Sequence, residues 1–106
     1  MLDKNIVAFA VKRKLVALYG ERLAKLILYG SYARGDSRED SDIDFLVVLS
    51  DDEIQVGTEI HAMSKHLSQL DSEFNTYISA HPTTLKKLEQ SDFIYYKNVR
   101  REGIEI

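Results

Sequence analysis

Cysteine is absent from the 106-residue sequence. That one absence excludes a disulfide scaffold, a thiolate metal site and a cysteine nucleophile together. No apolar run is long enough to span a bilayer, so no membrane partner is expected. The opening MLDKNIVAFAVKRK mixes charge into its apolar residues where a signal peptide would carry a clean hydrophobic centre. The expectation is a cytoplasmic protein. An excess of positive charge is also missing: 14 Lys and Arg stand against 17 Asp and Glu, a net charge of -3. This offers no electrostatic reason for tight non-specific binding to nucleic acid. Internal repeats, linkers and low-complexity segments are absent too. What is present, 44% hydrophobic and 29% charged residues, is ordinary for a soluble globular chain. The length suits one domain, residues 1–106, with one hydrophobic core.

The patterning predicts a small mixed β-sheet with helices packed on it. Apolar residues at helical spacing from Ile6 to Leu18 read as an amphipathic helix that ends near Gly20. Leu23 to Tyr29 (LAKLILY) and Ile43 to Leu49 (IDFLVVL) read as buried strands separated by a polar turn. Asp51 and Asp52 start a long helical segment running to Leu70, with Gly57 inside it. Phe74 to Ala80 (FNTYISA) reads as a third strand stopped by His81-Pro82. Thr83 or Thr84 then caps a short helix through Leu88, Ile94 to Arg101 is helical, and Ile104 to Ile106 form an apolar-polar-apolar stub.

The segment Leu28 to Leu49, LYGSYARGDSREDSDIDFLVVL, carries the chemistry. A buried strand delivers Gly30-Ser31, and a second begins with Asp42-Ile43-Asp44. Alternation places Asp42 and Asp44 on one face of that strand and Ile43 and Phe45 on the other. Two converging carboxylates repel unless a cation lies between them, and hard oxygen donors favour magnesium (Mg2+), with manganese (Mn2+) as the alternative. Gly30 lacks a Cβ, so its backbone can approach a phosphate closely, and Ser31 adds a hydroxyl donor. Arg34 lies nearby to neutralise charge. Each part alone is weak: a Gly-Ser pair is more often an ordinary turn, and a lone Asp-x-Asp is more often solvated.

Together these residues resemble one family. The run GSYARGDSREDSDIDFLVV is similar to the signature of the DNA polymerase beta type nucleotidyltransferase superfamily, Gly-Ser followed by Asp-hydrophobic-Asp on a strand. More narrowly, it resembles the minimal nucleotidyltransferases, which in prokaryotes are often encoded beside a small helical HEPN-domain protein. The resemblance implies an α+β nucleotidyltransferase fold. It implies that Gly30 and Ser31 contact the phosphates of a nucleoside triphosphate, ATP first, and that Asp42 and Asp44 ligate the metal. Nucleoside monophosphate, AMP, would pass to a hydroxyl acceptor and pyrophosphate would leave. In that group the acceptor can be a tyrosine of the HEPN partner, which makes the transferase the antitoxin of a toxin–antitoxin pair. Arg34 and Arg38 would be secondary phosphate contacts, or else solvated residues of a polar turn.

The family usually adds a third carboxylate on a strand after the long helix, and the stretch from Phe74 to Ala80 contains none. Glu73 is placed ahead of Asp71 for that role because it shares strand parity with Asn75, Tyr77 and Ser79; Asn75 or Ser79 is the alternative as a poorer ligand. His61, His66 and His81 lack the spacing of helical metal ligands, so surface or packing roles are expected. Tyr95, Tyr96, Lys97, Arg100 and Arg101 suggest a partner surface on the last helix, against packing of that helix by its aromatic face. A transferase this small lacks a lobe to position an acceptor, so a protein partner or a second copy is expected. The missing carboxylate leaves a rival reading, a catalytically weak module that acts by docking. Transfer to a small hydroxylated molecule such as an aminoglycoside would normally need a further domain.

Overall fold

The computed structural model describes residues 3–37 and 41–106. Asp3 starts helix α1 (Lys4–Tyr19) by accepting the Asn5 N–H at 2.9 Å. Gly20, at φ 56°, ends it. The buried side of α1 is Val7, Ala8, Val11, Leu15 and Tyr19, whereas Ile6, Phe9 and Val16 face solvent. The apolar spacing therefore located the helix but overstated how much of it is buried. A 3-10 turn at Gly20–Arg22 leads into strand β1 (Leu23–Tyr29), and the one-turn helix α2 (Ser31–Arg34) follows. Strand β2 (Ile43–Leu49) pairs antiparallel with β1. Both strands have the bounds expected from their patterning.

Helix α3 (Val56–Phe74) crosses over to strand β3 (Ile78–Thr84), which lies parallel to β2. Helices α4 (Leu85–Gln90) and α5 (Ile94–Glu102) complete the chain with a two-residue strand, β4 (Ile104–Glu105). The stub at the end of the sequence is thus a sheet strand on the free edge of β1, and the sheet runs β3-β2-β1-β4.

Central position explains why β2 is apolar on both sides. Ile43, Phe45, Val47 and Leu49 pack with Leu26 and Leu28 against α1 and α3. Leu46 and Val48 pack with Ile27 against Leu88 of α4 and Val99 of α5. Asp42 and Asp44 share parity with Leu46 and Val48, so they stand on the α5 side of the sheet, at the end of β2 where it enters.

Two expectations are corrected. The long helix does not begin at Asp51: the Asp51 carboxylate accepts from Arg22 Nε at 3.0 Å, and the helix starts at Val56, which places Gly57 in its first turn. The same arginine reaches buried Glu59 at 2.8 Å, and the Tyr19 hydroxyl donates to Glu59 at 3.1 Å, joining α1, the 3-10 turn before β1, and α3 through one carboxylate. The third strand lies four residues later than its composition suggested. Asn75, at φ 50°, caps α3 with its N–H on the Asp71 and Ser72 carbonyls, and the Asp71 side chain then accepts the Ile78 N–H at 2.9 Å. Asp71 therefore fixes where β3 begins. His81-Pro82 does not stop the strand, because β3 is at the sheet edge and a proline there forfeits no ladder bond when its nitrogen faces outward.

Phe45 is fully buried between β1, α1 and α3. Phe45→Ala should therefore lower unfolding free energy by about 3–5 kcal/mol, read from urea titration. A loss below about 1 kcal/mol would contradict the packing described for that face.

Candidate active site at the Gly30–Asp44 contact

Tyr29 and Asp44 are cross-strand partners, so the residue after Tyr29 turns directly over the Asp44 side chain. Gly30 occupies that place at φ 75°, and a Cβ there would lie 2.6 Å from Asp44 Oδ2. Both facts select glycine: the backbone is in a region that side chains disfavour, and the space is taken by a carboxylate. The Gly30 carbonyl accepts the Ala33 and Arg34 N–H groups at 3.1 Å, starting α2 with Ser31 as its first residue. Gly35, at φ 81°, closes the turn. Arg34 is exposed on α2, with Nε 3.3 Å from Asp36 and Nη1 4.0 Å from Glu102 of α5.

Asp42 is exposed and Asp44 half-buried. Burial, and then repulsion from Asp42, push the Asp44 carboxyl above its ordinary range, while His81 and Arg34 act in the opposite direction. On the far side of Asp44 the neighbouring residue of β3 is Ser79, whose hydroxyl lies 3.0 Å from His81 Nε2. Tyr29 stands edge-on to Tyr95 at 5.9 Å between ring centroids, and His81 lies 6.4 Å from the Tyr29 ring. Burial holds the Tyr29 and Tyr95 hydroxyls above the usual phenol range, so both are neutral hydrogen-bonding groups at pH 7. A cavity of about 230 Å³ beside Gly30 is lined by Tyr29, Arg34, Tyr95, Asn98 and Glu102.

This donor set fits a hard dication. Two carboxylates on one strand face, one of them partly desolvated and repelled by the other, gain from an ion that cancels the repulsion, and oxygen donors suit magnesium. Among the described residues no group of three or more histidines and carboxylates is placed to hold a metal.

Residues 10–101 match the family model of the nucleotidyltransferase domain. The chain belongs to that family. Two relatives of this nucleotidyltransferase are proteins of Methanocaldococcus jannaschii, each carrying the name "Putative protein adenylyltransferase". One is 35% identical over 97 residues, covering 89% of this chain and 91% of the relative. The other is 32% identical over 95 residues, covering 90% of each. The fold is shared with a toxin–antitoxin crystallised with AMP-PNP, at TM-score 0.61 and 21% identity over 90% of this chain and 68% of that one. It is shared also with a variant of the toxin–antitoxin MntA–HpeT, at TM-score 0.60 and 21% identity over 100% of this chain and 72% of that one.

Of the residues singled out in the sequence, Gly30, Ser31, Arg34, Asp42 and Asp44 are brought to one end of the sheet. Arg38 lies outside the described residues. The strand parity that favoured Glu73 is corrected: this residue is exposed on the last turn of α3, before β3 begins. Asp71 is engaged in starting β3, and Asn75 is a helix cap. On the last helix Tyr96 Oη lies 2.7 Å from Thr83 Oγ1, and Arg100, itself exposed, donates to the Leu88 carbonyl at 2.6 Å. His81 and Tyr29 join the site face unforeseen. A strand running on through His81-Pro82 reveals His81, since it shares parity with Ser79.

Two outcomes follow from this geometry. Gly30→Ala should displace the Asp44 carboxylate and abolish metal-dependent triphosphate binding, while costing about 1–3 kcal/mol of stability; calorimetry and thermal unfolding on one sample separate the two effects. Because the folded state holds the Asp44 proton more tightly than the unfolded chain does, ionised Asp44 subtracts stability at neutral pH. That subtraction disappears as pH falls below the folded pKa. Asp44→Asn in metal-free buffer should therefore melt above wild type at pH 7, with the difference shrinking in acid.

Proposed function

We propose that this nucleotidyltransferase moves AMP from ATP to a hydroxyl of a protein acceptor, with Asp42 and Asp44 holding magnesium, or manganese in its place. The observation that carries the reading is the Gly30–Asp44 contact, which sets a cradle without a Cβ against a carboxylate that burial and Asp42 hold in need of a cation. Gly30 and Ser31 take the terminal phosphates, and Arg34, one turn along α2, neutralises the leaving pyrophosphate. A dication held by Asp42 and Asp44 would offset triphosphate charge and lower the pKa of an entering hydroxyl. The acceptor oxygen bonds to the α-phosphorus, the bond to the β-phosphate bridge breaks, pyrophosphate departs, and the hydroxyl proton passes to solvent. The names of the two archaeal relatives support a protein acceptor and an adenylyl group. The toxin–antitoxin neighbours support a partner chain. We assign that partner as a HEPN-domain toxin whose tyrosine is modified, with this single-domain protein as its cytoplasmic antitoxin.

Position 79 favours a second reading. Ser79 occupies the place beside Asp44 on β3, and no carboxylate lies anywhere on that strand. A centre with two protein carboxylates can bind the triphosphate yet activate an acceptor poorly, so docking alone would serve the partner.

Calorimetry with ATP and magnesium tests the first reading: Asp42→Asn combined with Asp44→Asn should remove the metal-dependent binding and leave the melting temperature no lower. Unchanged affinity in that double variant would overturn the assignment. Single-turnover transfer tests the second. Ser79→Asp should raise the rate at least tenfold with little change in nucleotide affinity, the pattern of a contact made mainly in the transition state. Glu73→Gln should behave as wild type. A strong fall with Glu73→Gln would show that the helix-borne acid reaches the centre after all.

A further inference from the structure

Strand β3 turns alternate residues to opposite sides of the sheet. Ile78 and Ala80 pack into the core with residues of α1 and α3. Ser79, His81 and Thr83 face the other way, toward α5, where Thr83 Oγ1 meets Tyr96 Oη at 2.7 Å. Asp44 stands on that same side, and its register neighbour on β3 is Ser79. Adjacent strands lie about 4.8 Å apart, so the Ser79 hydroxyl and the Asp44 carboxylate share one face at that separation.

Two further contacts single out Ser79. Its Oγ lies 3.0 Å from His81 Nε2, and in the tautomer with its proton on Nδ1 the imidazole accepts from that hydroxyl. A hydroxyl within hydrogen-bond reach of a base is the arrangement of an activated nucleophile. The His81 ring also meets Tyr29 of β1 at 6.4 Å between centroids, so the two rings reach toward each other across β2. Strand β3 (ISAHPTT) carries no carboxylate. What stands beside Asp44 on this flank is therefore a hydroxyl with its base, where an acid would hold a metal.

Phosphoryl displacement places the entering and leaving oxygens in line on opposite sides of phosphorus. With the terminal phosphates over Gly30 and Ser31, which follow β1, pyrophosphate leaves on the β1 side and the entering oxygen comes from the β3 side. Tyr29 and Tyr95 border the cavity on the leaving side, next to Gly30 and Arg34. Ser79 carries its hydroxyl on the entering side.

We propose that Ser79 is itself an adenylyl acceptor, whose hydroxyl attacks the α-phosphorus of ATP bound in the same chain and keeps the AMP as a phosphodiester. The bond from Oγ to phosphorus forms and the bond from the α-phosphorus to the bridging oxygen breaks. Pyrophosphate departs, and the proton moves from Oγ to His81 Nε2 and on to solvent, to which His81 is exposed. The proposal rests on the transferase reading above and adds a modification site within the chain. An AMP on Ser79 fills the approach to Asp44, so the modified chain is closed to a separate hydroxyl.

The test incubates the full chain with α-labelled ATP and magnesium, offers a random glutamate–tyrosine copolymer as a separate acceptor, and maps the label by peptide mass spectrometry. One AMP should appear on Ser79, at a rate per chain independent of protein concentration. Ser79→Ala should abolish the self-label and leave ATP affinity within twofold by calorimetry. His81→Gln retains a hydrogen-bonding side chain but takes up no proton, and should slow self-labelling at least tenfold with ATP affinity again within twofold. In the protein free of metal and nucleotide, Ser79→Ala should shift the NMR signals of the His81 ring nitrogens. The purified Ser79 adduct should label the copolymer at least tenfold more slowly than the unmodified chain. Label on Tyr29, Tyr95 or the copolymer with none on Ser79 would overturn the proposal and leave the transferase reading standing. So would Ser79 labelling that rises with protein concentration, His81→Gln labelling at the wild-type rate, or His81 signals unmoved in Ser79→Ala. No label on either the chain or the copolymer would overturn the transferase reading and the proposal together.

Discussion

The close approach of Gly30 to Asp44 is the constraint on which the rest of the molecule depends. It requires β1 and β2 to pair in one register, because a slip of one residue would turn Asp44 toward α1 and α3 and send Phe45 to the opposite face. It requires glycine at 30, where the positive φ and the neighbouring carboxylate each exclude a side chain. The apolar surroundings of β2 enforce that register from both sides: Ile43, Phe45, Val47 and Leu49 on one face, Leu46 and Val48 on the other. The carboxylates stand where the second apolar layer stops, which is why Asp44 is half-buried while Asp42 is exposed.

Stability and chemistry pull in opposite directions at this contact. A carboxylate moved out of water beside another of the same charge is unfavourable, and the fold tolerates it because β2 is secured elsewhere. Glu59 shows the contrasting solution. It is buried too, but Tyr19 and Arg22 satisfy it, so it serves to join three elements instead of waiting for a ligand. Among the described residues, the distinction between an acid with hydrogen-bond partners and one without separates structural from candidate functional carboxylates better than exposure does.

The strands β1 and β2 were legible in the sequence because both are short apolar runs cut off by polar or glycine residues, and the Gly-Ser and Asp-x-Asp wording between them identified the family. The third strand was misplaced because FNTYISA has the composition of a strand, while the positions of Asn75 and Asp71 decided the matter. A left-handed cap and a side-chain acceptor for the Ile78 N–H are tertiary arrangements, and a window of β-forming residues carries no trace of them. With the strand placed at Phe74 to Ala80, Glu73 shares its parity and His81 falls beyond its end; with β3 at Ile78–Thr84 neither holds. The exposed side of α1 was hidden for a related reason: Ile6, Phe9 and Val16 are as apolar as the buried stripe, and only packing against α3 and the sheet chooses between them.

The crossover by α3 has a consequence for how the centre can change over time. Gly30 and Asp44 come together across an antiparallel pair whose members are near neighbours in the chain, whereas Ser79 arrives only after a nineteen-residue helix has carried the strand to the far side of β2. The two flanks of the acid pair are therefore written in separate stretches of sequence with no residue in common. Substitutions in residues 56–81 can remodel one flank without disturbing the other.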